Sequence, residues 1–507
     1  MPPTKVEVLQ ELAVGARIAE EEFEQLVNYF IETDQWRSIV AGEKDIVFGP
    51  KGSGKSAIYA TLLDRANDMF DSGVLLVSAE NPRGALAFED VASEPPTSEV
   101  EFIGIWKLYI LTLAGRILRE YEVKGEAAGR VQAALAREGL APPPREPLRG
   151  VVRRVRDYVT RLINPKSVGT EASFDPISGA VAVKATITLA EPSAGDREKG
   201  FVSVDELLAD ADSPFDEAGW TLWLLFDRLD VAFADSRDLE ANALRALFKV
   251  YLDLTTNSHV KVKIFLRSDI WTAITEGGFR EASHITRHTS IRWNPGSLLH
   301  LTVRRLLQNE RLCGYYGVTA AQVPASDAEQ RTFVDGLVPD HIDSGRNPKT
   351  FEWLLGRAQD GTRGVAPREL IHLLTEAKNA QLALLERGSE EPEGNKIFAR
   401  QAFRDALPEV SRVRLDQTLY AEYPEMKQWV GKLEREKTNQ TPSTLAAIWG
   451  VSEDEATRLA DSLVDIGFFE RRGTKEDPNY WVPFLYRPAL NMIQGTAESE
   501  AEEPDLS

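Results

Sequence analysis

The chain has 507 residues, which is enough for two to four domains, and its composition of 43% hydrophobic and 27% charged residues is that of a globular protein. The single cysteine, Cys313, excludes an internal disulfide and favours a reducing cytoplasm, and six scattered histidines argue against a zinc site. A net charge of −20 argues against a general nucleic-acid coat protein, because such binding would require a local basic patch. We expect no signal peptide over Met1–Gly15, and no membrane span, because the apolar run Phe102–Gly115 is short and carries Lys107.

Residues 1–44 are expected to be helical, and the first motif follows them at residues 45–56, DIVFGPKGSGKS. It matches the phosphate-binding P-loop, G-x-x-x-x-G-K-[ST], with a short apolar strand before it and helical spacing over Ala57–Phe70 after it. The helix N-terminus would point at the phosphates, Lys55 would bind the β- and γ-phosphates, and the Ser56 hydroxyl would bind Mg²⁺. The expected nucleotide-binding residues are Gly49, Pro50, Lys51, Gly52, Ser53, Gly54, Lys55 and Ser56.

A second strand is predicted at Gly73–Ser78, and residues 81–215 then have the pattern of a long inserted region with a hairpin within Thr170–Leu189. Its most basic segment is Arg145–Lys166, a predicted helix. Two interpretations stay open: a contact for a phosphate backbone or an acidic partner, and a solvated face or a docking surface for the protein's own acidic parts. Nucleic acid is not favoured, because no aromatic residues alternate with the charges. The charged residues are Arg145, Arg149, Arg153, Arg154, Arg156, Arg161 and Lys166, against Glu146 and Asp157.

The apolar strand Trp220–Phe226 ends in Asp227, followed by Arg228, Leu229 and Asp230. A carboxylate at the end of a buried strand downstream of a P-loop is typical of a Walker B element, so Asp227 is expected to bind Mg²⁺. Asp230 is expected to orient water or to close the loop. Arg228 occupies the position where many ATPases place the acid that activates water, so either Asp230 or a distant residue does so, or turnover is slow.

A further strand, Val260–Leu266, ends in Arg267. Because this strand end lies beside a P-loop, Arg267 is predicted to bind the γ-phosphate with its planar fork; the alternative is a surface arginine paired with Asp269. Helices over residues 298–385 are expected to form a lid. Arg368, in the first turn of the helix Pro367–Leu385, would contact the nucleotide or simply belong to a helix start.

Three helices and two strands are predicted between residues 396 and 490, an order typical of a winged helix. The third helix, Ser452–Ile466, carries five acidic residues against Arg458, a charge that phosphate repels, so protein contacts are favoured and only the wing is left for nucleic acid. The acidic tail is expected to be disordered. The predicted helices and strands are Leu415–Leu433, Pro442–Trp449, Ser452–Ile466, Phe468–Glu470 and Tyr480–Val482.

The fold class is therefore predicted to be α/β, with a P-loop NTPase core, a mostly parallel sheet, a helical lid and a C-terminal winged helix. We expect the core over residues 1–300, with an inserted α/β region at about 81–215. The lid would cover 301–395, the winged helix 396–490 and the disordered tail 491–507.

The ordered set AEEE…YFIETDQW, GPKGSGKS, LLFDRLD, IFLRSDIW and GVAPRELIHLL resembles bacterial P-loop ATPases near the STAND, KAP and origin-recognition branches of the AAA+-like NTPases. The resemblance implies an additional-strand core, ATP as the nucleotide, and action of Arg267 on the γ-phosphate. Residues 364–367, GVAP, match neither the STAND G-x-P nor a sensor-2 G-x-x-R pattern.

Three functions follow as hypotheses. The first is an ATP-binding switch or ATPase that couples its nucleotide state to a protein partner or effector, as a monomer or a homo-oligomer; the resemblance implies a setting in anti-phage defence. The second is a DNA-associated AAA+-like ATPase. The third is a nucleotide-stabilised scaffold with little turnover, favoured by Arg228.

Overall fold

The computed structural model describes residues 3–16, 22, 26–81, 86–89, 91, 96, 98–163, 186–233, 236–319, 326–344, 348–474 and 476–497. Contacts between Cα atoms divide the chain into two units. The sheet unit consists of Glu32–Gly49 and Lys55–Ile291, and the helical unit consists of Met1–Ile31, Pro50–Gly54 and Arg292–Ser507. Residues 50–54 of the predicted P-loop, and residues 1–31, are thus grouped with the C-terminal part of the chain. The turn predicted at residues 175–179, Lys166 and Lys475 lie outside the described residues.

The sheet unit is built on a parallel sheet, whose strands are apolar because helices cover both faces of such sheets. The sheet has five strands, all parallel, in the order β2-β5-β6-β1-β7, and the short strands β3 and β4 pair separately. Gly49 pairs with Arg267 in the β1–β6 register, so the carboxyl ends of these strands lie at one edge. This confirms the predicted α/β fold with a parallel sheet. The strands are β1 (Ile46–Gly49), β2 (Val74–Ser78), β3 (Ile187–Thr188), β4 (Val202–Ser203), β5 (Thr221–Phe226), β6 (Val260–Arg267) and β7 (His288–Ser290).

The helices of the sheet unit follow the apolar periodicity of the sequence. The helix predicted over residues 57–70 is divided at Arg65, and Glu99–Glu120 is buried along most of its length, where it packs on Leu148–Ile163 and Arg237–Asp253. The region predicted as an insertion lies between β2 and β5, which are neighbours in the sheet. The helices are Asp34–Val40, Lys55–Asp64, Ala66–Asp71, Glu99–Glu120, Glu126–Arg137, Leu148–Ile163, Ala194–Glu198, Val204–Glu217, Leu229–Ala232, Arg237–Asp253 and Ser268–Glu276, with 3-10 turns at Leu254–Thr256 and Arg280–His284.

The helical unit contains a second, four-stranded sheet in the order β11-β8-β10-β9, in which the predicted wing strands β9 and β10 pair antiparallel. The helix predicted over residues 298–316 is two helices, which meet near Asn309. The strands of the helical unit are β8 (Lys437–Gln440), β9 (Glu470–Gly473), β10 (Pro478–Trp481) and β11 (Ile493–Thr496). Its helices are Lys5–Glu11, Leu26–Tyr29, Pro295–Leu306, Glu310–Tyr316, Asp327–Leu337, Thr350–Ala358, Pro367–Glu386, Arg400–Arg414, Tyr420–Glu422, Lys427–Gly431, Pro442–Trp449 and Glu453–Asp465.

Two expectations for this unit were wrong. The helix predicted over Leu415–Leu433 is broken into a π-helical turn at Leu415–Leu419, short helical pieces and a 3-10 turn at Pro424–Met426. Pro424 lacks the N–H that a continuous helix would use. Residues 493–496, predicted within a disordered tail, form β11, because the Ile493 N–H donates to the Glu436 carbonyl over 2.9 Å.

Among the helices that the structure describes, none combines the length and apolar character needed to cross a membrane.

A buried ion pair at the amino end of β1 gives a stability prediction. Lys263, 1% exposed, has its Nζ 2.8 Å from Asp45 Oδ1, and Arg287 Nε is 2.6 Å from Asp45 Oδ2. Burial raises the pKa of Asp45, but the charges of Lys263 and Arg287 lower it overall. Asp45→Ala would leave Lys263 buried without its carboxylate, so we expect a loss of about 3–5 kcal/mol in the free energy of unfolding.

Urea denaturation followed by tryptophan fluorescence measures this loss. The control, Glu99→Ala, removes an exposed partner of Lys249 and should cost less than about 1 kcal/mol; equal losses would contradict the prediction.

Candidate functional site

Polar side chains from three parts of the sheet unit meet at the carboxyl edge of its sheet. Lys55 and Ser56 open the helix after β1, Asp227 follows β5, and Arg267 ends β6. Because β6 lies between β1 and β5, Arg267 stands between the strand that enters the P-loop and the strand that ends at Asp227. The carboxyl ends of parallel strands are where ligands bind in open α/β sheets.

Lys55 begins the helix Lys55–Asp64, and its Nζ donates to the Gly49 carbonyl over 2.8 Å. Burial lowers the pKa of Lys55 to about 8, against the opposing charges of Asp230 and Asp227. Burial removes part of the hydration of this ammonium. A bound anion with several negative charges would replace that lost stabilisation.

Asp227 is 5% exposed and lies beside Ser56, whose hydroxyl donates to its carboxylate. Burial, and then the charge of Asp230, raise the pKa of Asp227 to about 6, whereas Lys55 and the Arg228 N–H oppose the shift. A carboxylate next to a hydroxyl fits Mg²⁺, which prefers oxygen ligands and keeps several waters or phosphate oxygens. Within the described part of the chain, no group of three or more His, Cys, Asp or Glu residues is arranged to hold a metal ion.

Arg267 is held by two carboxylates of the same edge. Its Nη2 lies 2.6 Å from Asp269 Oδ2 and its Nε donates to Asp269 Oδ1 over 3.1 Å, while its Nη1 lies 3.6 Å from Asp230 Oδ2. The alternative expected from the sequence, pairing with Asp269, is therefore present. A phosphate that binds Arg267 must either displace these carboxylates or share the guanidinium group with them.

Two residues at this edge, Arg228 and Glu80, bear on which side chain could activate a water molecule for hydrolysis. Arg228, at φ +60°, starts the short helix Leu229–Ala232, and its Nη1 donates to the Asn81 carbonyl over 3.0 Å. Glu80, which sequence reasoning missed, follows β2 and is 1% exposed; burial raises its pKa to about 6. Its Oε1 accepts from the N–H groups of Asn81 and Ala87, both over 2.7 Å. The signal was available, because GVLLVSAE ends in an acid as WTLWLLFD does.

The loop residues Pro50–Gly54 contact three later segments of the helical unit. Gly52 and Gly54, at φ +81° and +101°, adopt backbone conformations that favour glycine, and a Cβ at Gly52 would lie 2.9 Å from the Cβ of Arg368. Trp293 Nε1 donates to the Ser53 carbonyl over 2.8 Å, and Lys51 Nζ lies 2.5 Å from Glu422 Oε1. The structure thus brings Arg368 to the loop, and adds Trp293 and Glu422, which no sequence pattern indicated.

The predicted basic helix has the form of an amphipathic surface helix, Leu148–Ile163, whose valine face is buried. Its positive charge is largely paired: Arg149 lies 2.9 Å from Glu89, Arg154 lies 2.7 Å from Glu146, and Arg156 lies 3.1 Å from Asp157. This pairing favours the solvated-face interpretation and weakens the case for a nucleic-acid contact there.

A scan against protein-family models found no match to this chain, and a search of curated proteins also found none. Function is therefore inferred from the geometry of the site.

Proposed function

We propose that this protein is an ATP-binding molecular switch of the P-loop NTPase type, with Mg²⁺ as its metal. One observation carries the proposal: a single edge of the parallel sheet presents Lys55, Asp227 and Arg267, with β6 between β1 and β5. That order supports the additional-strand core that the STAND-like and AAA+-like resemblance implies. A terminal phosphate bound between Lys55 and Arg267 would contact both cations.

Each of these residues has a task that its environment supports. Lys55 would bind the β- and γ-phosphates, and Ser56 with Asp227 would hold the metal. Bound Mg²⁺ would neutralise charge on the β- and γ-phosphate oxygens. Arg267 would leave Asp269 for the γ-phosphate, which is the group that distinguishes ATP from ADP. The exchange gives the two nucleotides different contacts, as a switch requires.

The contacts of the loop Pro50–Gly54 could transmit a change of bound nucleotide to the rest of the helical unit. Lys51, Gly52 and Ser53 contact Glu422, Arg368 and Trp293, respectively. Glu422 lies in the irregular segment that takes the place of the first helix predicted for the winged helix. A shift of the loop on phosphate binding would therefore act directly on this segment and, through it, on a protein partner or effector. The cytoplasmic setting and the role in antiviral defence rest on the composition and the resemblance alone.

Turnover is expected to be slow. Arg228 stands where an activating acid is usual and is bonded to the Asn81 carbonyl, while Asp230 is engaged with Arg267. A nucleotide-stabilised scaffold with little hydrolysis is therefore the second candidate, and the same geometry supports it.

The test is a comparison of ATP and ADP binding by isothermal titration calorimetry in the presence of Mg²⁺. Replacing Arg267 with Ala is expected to weaken ATP binding about 10- to 100-fold and to leave ADP binding nearly unchanged, because a charge-assisted bond to the γ-phosphate is worth about 1.5–3 kcal/mol. Arg65→Ala, which removes an arginine paired with Glu32 in the same unit, is the matched control.

Hydrogen exchange then tests the switch. ATP, but not ADP, should alter exchange over residues 415–426. Absence of ATP binding by the wild type would overturn the proposal, whereas binding with no difference between the nucleotides in exchange would leave only the scaffold.

A further inference from the structure

Three arginines alternate with three aromatic rings in the helical unit. Arg357 lies 4.7 Å from the ring centroid of Trp353 and 3.7 Å from that of Phe484. Arg487 lies 4.0 Å from Phe484 and 4.4 Å from Trp481, and Arg472 lies 3.9 Å from Trp481 on the wing strand β10. We call these six residues the arginine ladder; its spatial order is Trp353, Arg357, Phe484, Arg487, Trp481 and Arg472.

Among the ion pairs of the described residues, the central arginine of the ladder has none. Arg487 is 7% exposed, and it donates to the Val482 carbonyl over 2.8 Å and to Gln494 Oε1 over 2.5 Å. Its Nη2 is buried and has no hydrogen-bond partner within the part of the chain that the structure describes. Burial, and then the charges of Arg357 and Arg472, lower the pKa of Arg487 to about 10. A buried guanidinium with an unpaired N–H group and two neighbouring cations favours an added anion.

The carboxylates around the ladder are too few to balance its arginines. Asp343 is shared by Arg357 and Arg404, at 3.4 and 3.2 Å. Glu470 is shared by Arg472 and Arg363, at 2.9 and 2.7 Å. Among ion pairs of the described residues, the three ladder arginines with Arg363 and Arg404 therefore face two carboxylates, which leaves three positive charges. In a chain of net charge −20, this is the local basic patch that nucleic-acid binding requires.

We propose that the arginine ladder binds single-stranded nucleic acid. The guanidinium groups of Arg472 and Arg357 would contact backbone phosphates, and unpaired bases would stack on Arg472 or pack against the edges of Trp481 and Phe484, since single strands are bound by basic grooves with interspersed aromatic residues. These four residues are the accessible part of the ladder: the Arg472 and Arg357 side chains are 44% and 19% exposed and Trp481 and Phe484 are partly exposed, whereas Trp353 and Arg487 are buried.

A single strand fits this surface better than a duplex. A winged helix reads duplex DNA with its third helix, which here is Glu453–Asp465 and has three acidic residues in its first turn. Phosphates of a duplex seated on that helix would be repelled. The ladder lies on the wing side and needs no groove-reading helix. The basic helix Leu148–Ile163 competes poorly, because three of its arginines, Arg149, Arg154 and Arg156, are ion-paired and no ladder of rings accompanies them.

The test uses the full-length protein and fluorescence anisotropy of fluorescein-labelled dT20 at 50 mM NaCl, with a 20-base-pair duplex as the comparison probe. The double variant Arg357→Gln/Arg472→Gln is expected to weaken dT20 binding at least tenfold and to reduce the dependence of log K on log salt by about 1–2. The matched control, Arg311→Gln/Arg412→Gln, removes the same charge from two exposed, ion-paired arginines of the same unit and should change binding less than threefold.

Several outcomes overturn the proposal: no dT20 binding by the wild type, equal loss in the control variant, or tighter binding of the duplex than of dT20. Thermal unfolding verifies that the variants are folded. Independently of any variant, ultraviolet crosslinking of wild type to dT20 should label peptides that contain Trp481 or Phe484. Crosslinks confined to residues 148–163 would assign the binding to the basic helix and contradict the proposal.

Discussion

ATP turnover is expected to fall at least about 100-fold when Lys55 is replaced by Ala. Lys55 contributes a half-buried ammonium that donates to the Gly49 carbonyl, and in an ATP complex the same group would bind the β- and γ-phosphates. Loss of one such contact to charge developing on a transferred phosphoryl group typically costs about 3 kcal/mol. A coupled phosphate-release assay, run at saturating ATP and at limiting ATP, separates the loss of binding from the loss of rate.

The control for Lys55 is another lysine of the sheet unit, Lys249, which is ion-paired with Glu99. Lys249→Ala should keep turnover within about twofold, since the altered side chain is partly exposed and lies away from the sheet edge. If Lys55→Ala retained wild-type turnover, any ATPase activity would belong to another site. If wild type bound ATP but released no phosphate, the scaffold would be favoured.

Replacing Asp227 with Asn is expected to have two opposite effects. Turnover should fall at least about 100-fold and no longer respond to Mg²⁺, because Asn is a poorer ligand than a carboxylate for a hard cation. The nucleotide-free protein should become more stable, since Asp227 ionises in a buried place at a cost in folding free energy.

The sign of this stability effect depends on pH. The pKa of Asp227 is raised to about 6 in the folded protein, above its ordinary value of 3.8, so the folded state holds the proton more tightly than the unfolded state. Wild-type stability therefore falls as pH rises from about 4 to 6. The variant should gain about 1–3 kcal/mol at pH 8 and almost nothing at pH 4. Urea denaturation in EDTA, without nucleotide, measures both values. A destabilised variant at pH 8 would show that the Lys55–Asp227 attraction outweighs the burial of the carboxylate.

The parts of the site that could be predicted are those fixed by strand ends. Apolar runs that end in Asp227 or Arg267 indicate buried parallel strands, and parallel strands place their carboxyl ends at one edge. Glu80 likewise follows the end of a parallel strand, β2, but it belongs to no familiar motif, so motifs alone do not predict it. The pairing of Arg267 with Asp269 and Asp230 depends on side-chain positions that the spacing does not specify.

Other parts could not be predicted because their partners are distant in the chain. Strand β11 is ordered by its pairing with β8. The sequence of β8, KTNQ, is polar throughout and lacks the alternation of apolar and polar residues that predicts a strand. The arginine ladder joins residues from 353 to 487, whose charges look unrelated in the sequence. The contact of Glu422 with Lys51 depends on a helix break that Pro424 signals locally, but the partner of Glu422 lies 371 residues away in the sequence.

The strand order of the sheet also determines when during synthesis the candidate site can take shape. Ile46 pairs with Ile264 on one side and with His288 on the other, so β1 has no neighbour until those later strands have left the ribosome. At about 5–20 residues per second, the P-loop segment would wait on the order of ten seconds or more as an unpaired apolar strand. The helices of the inserted region emerge during this interval. Together with the earlier helix Lys55–Asp64, which contacts β1, they are therefore the structure available to shield β1 from aggregation before β6 and β7 emerge.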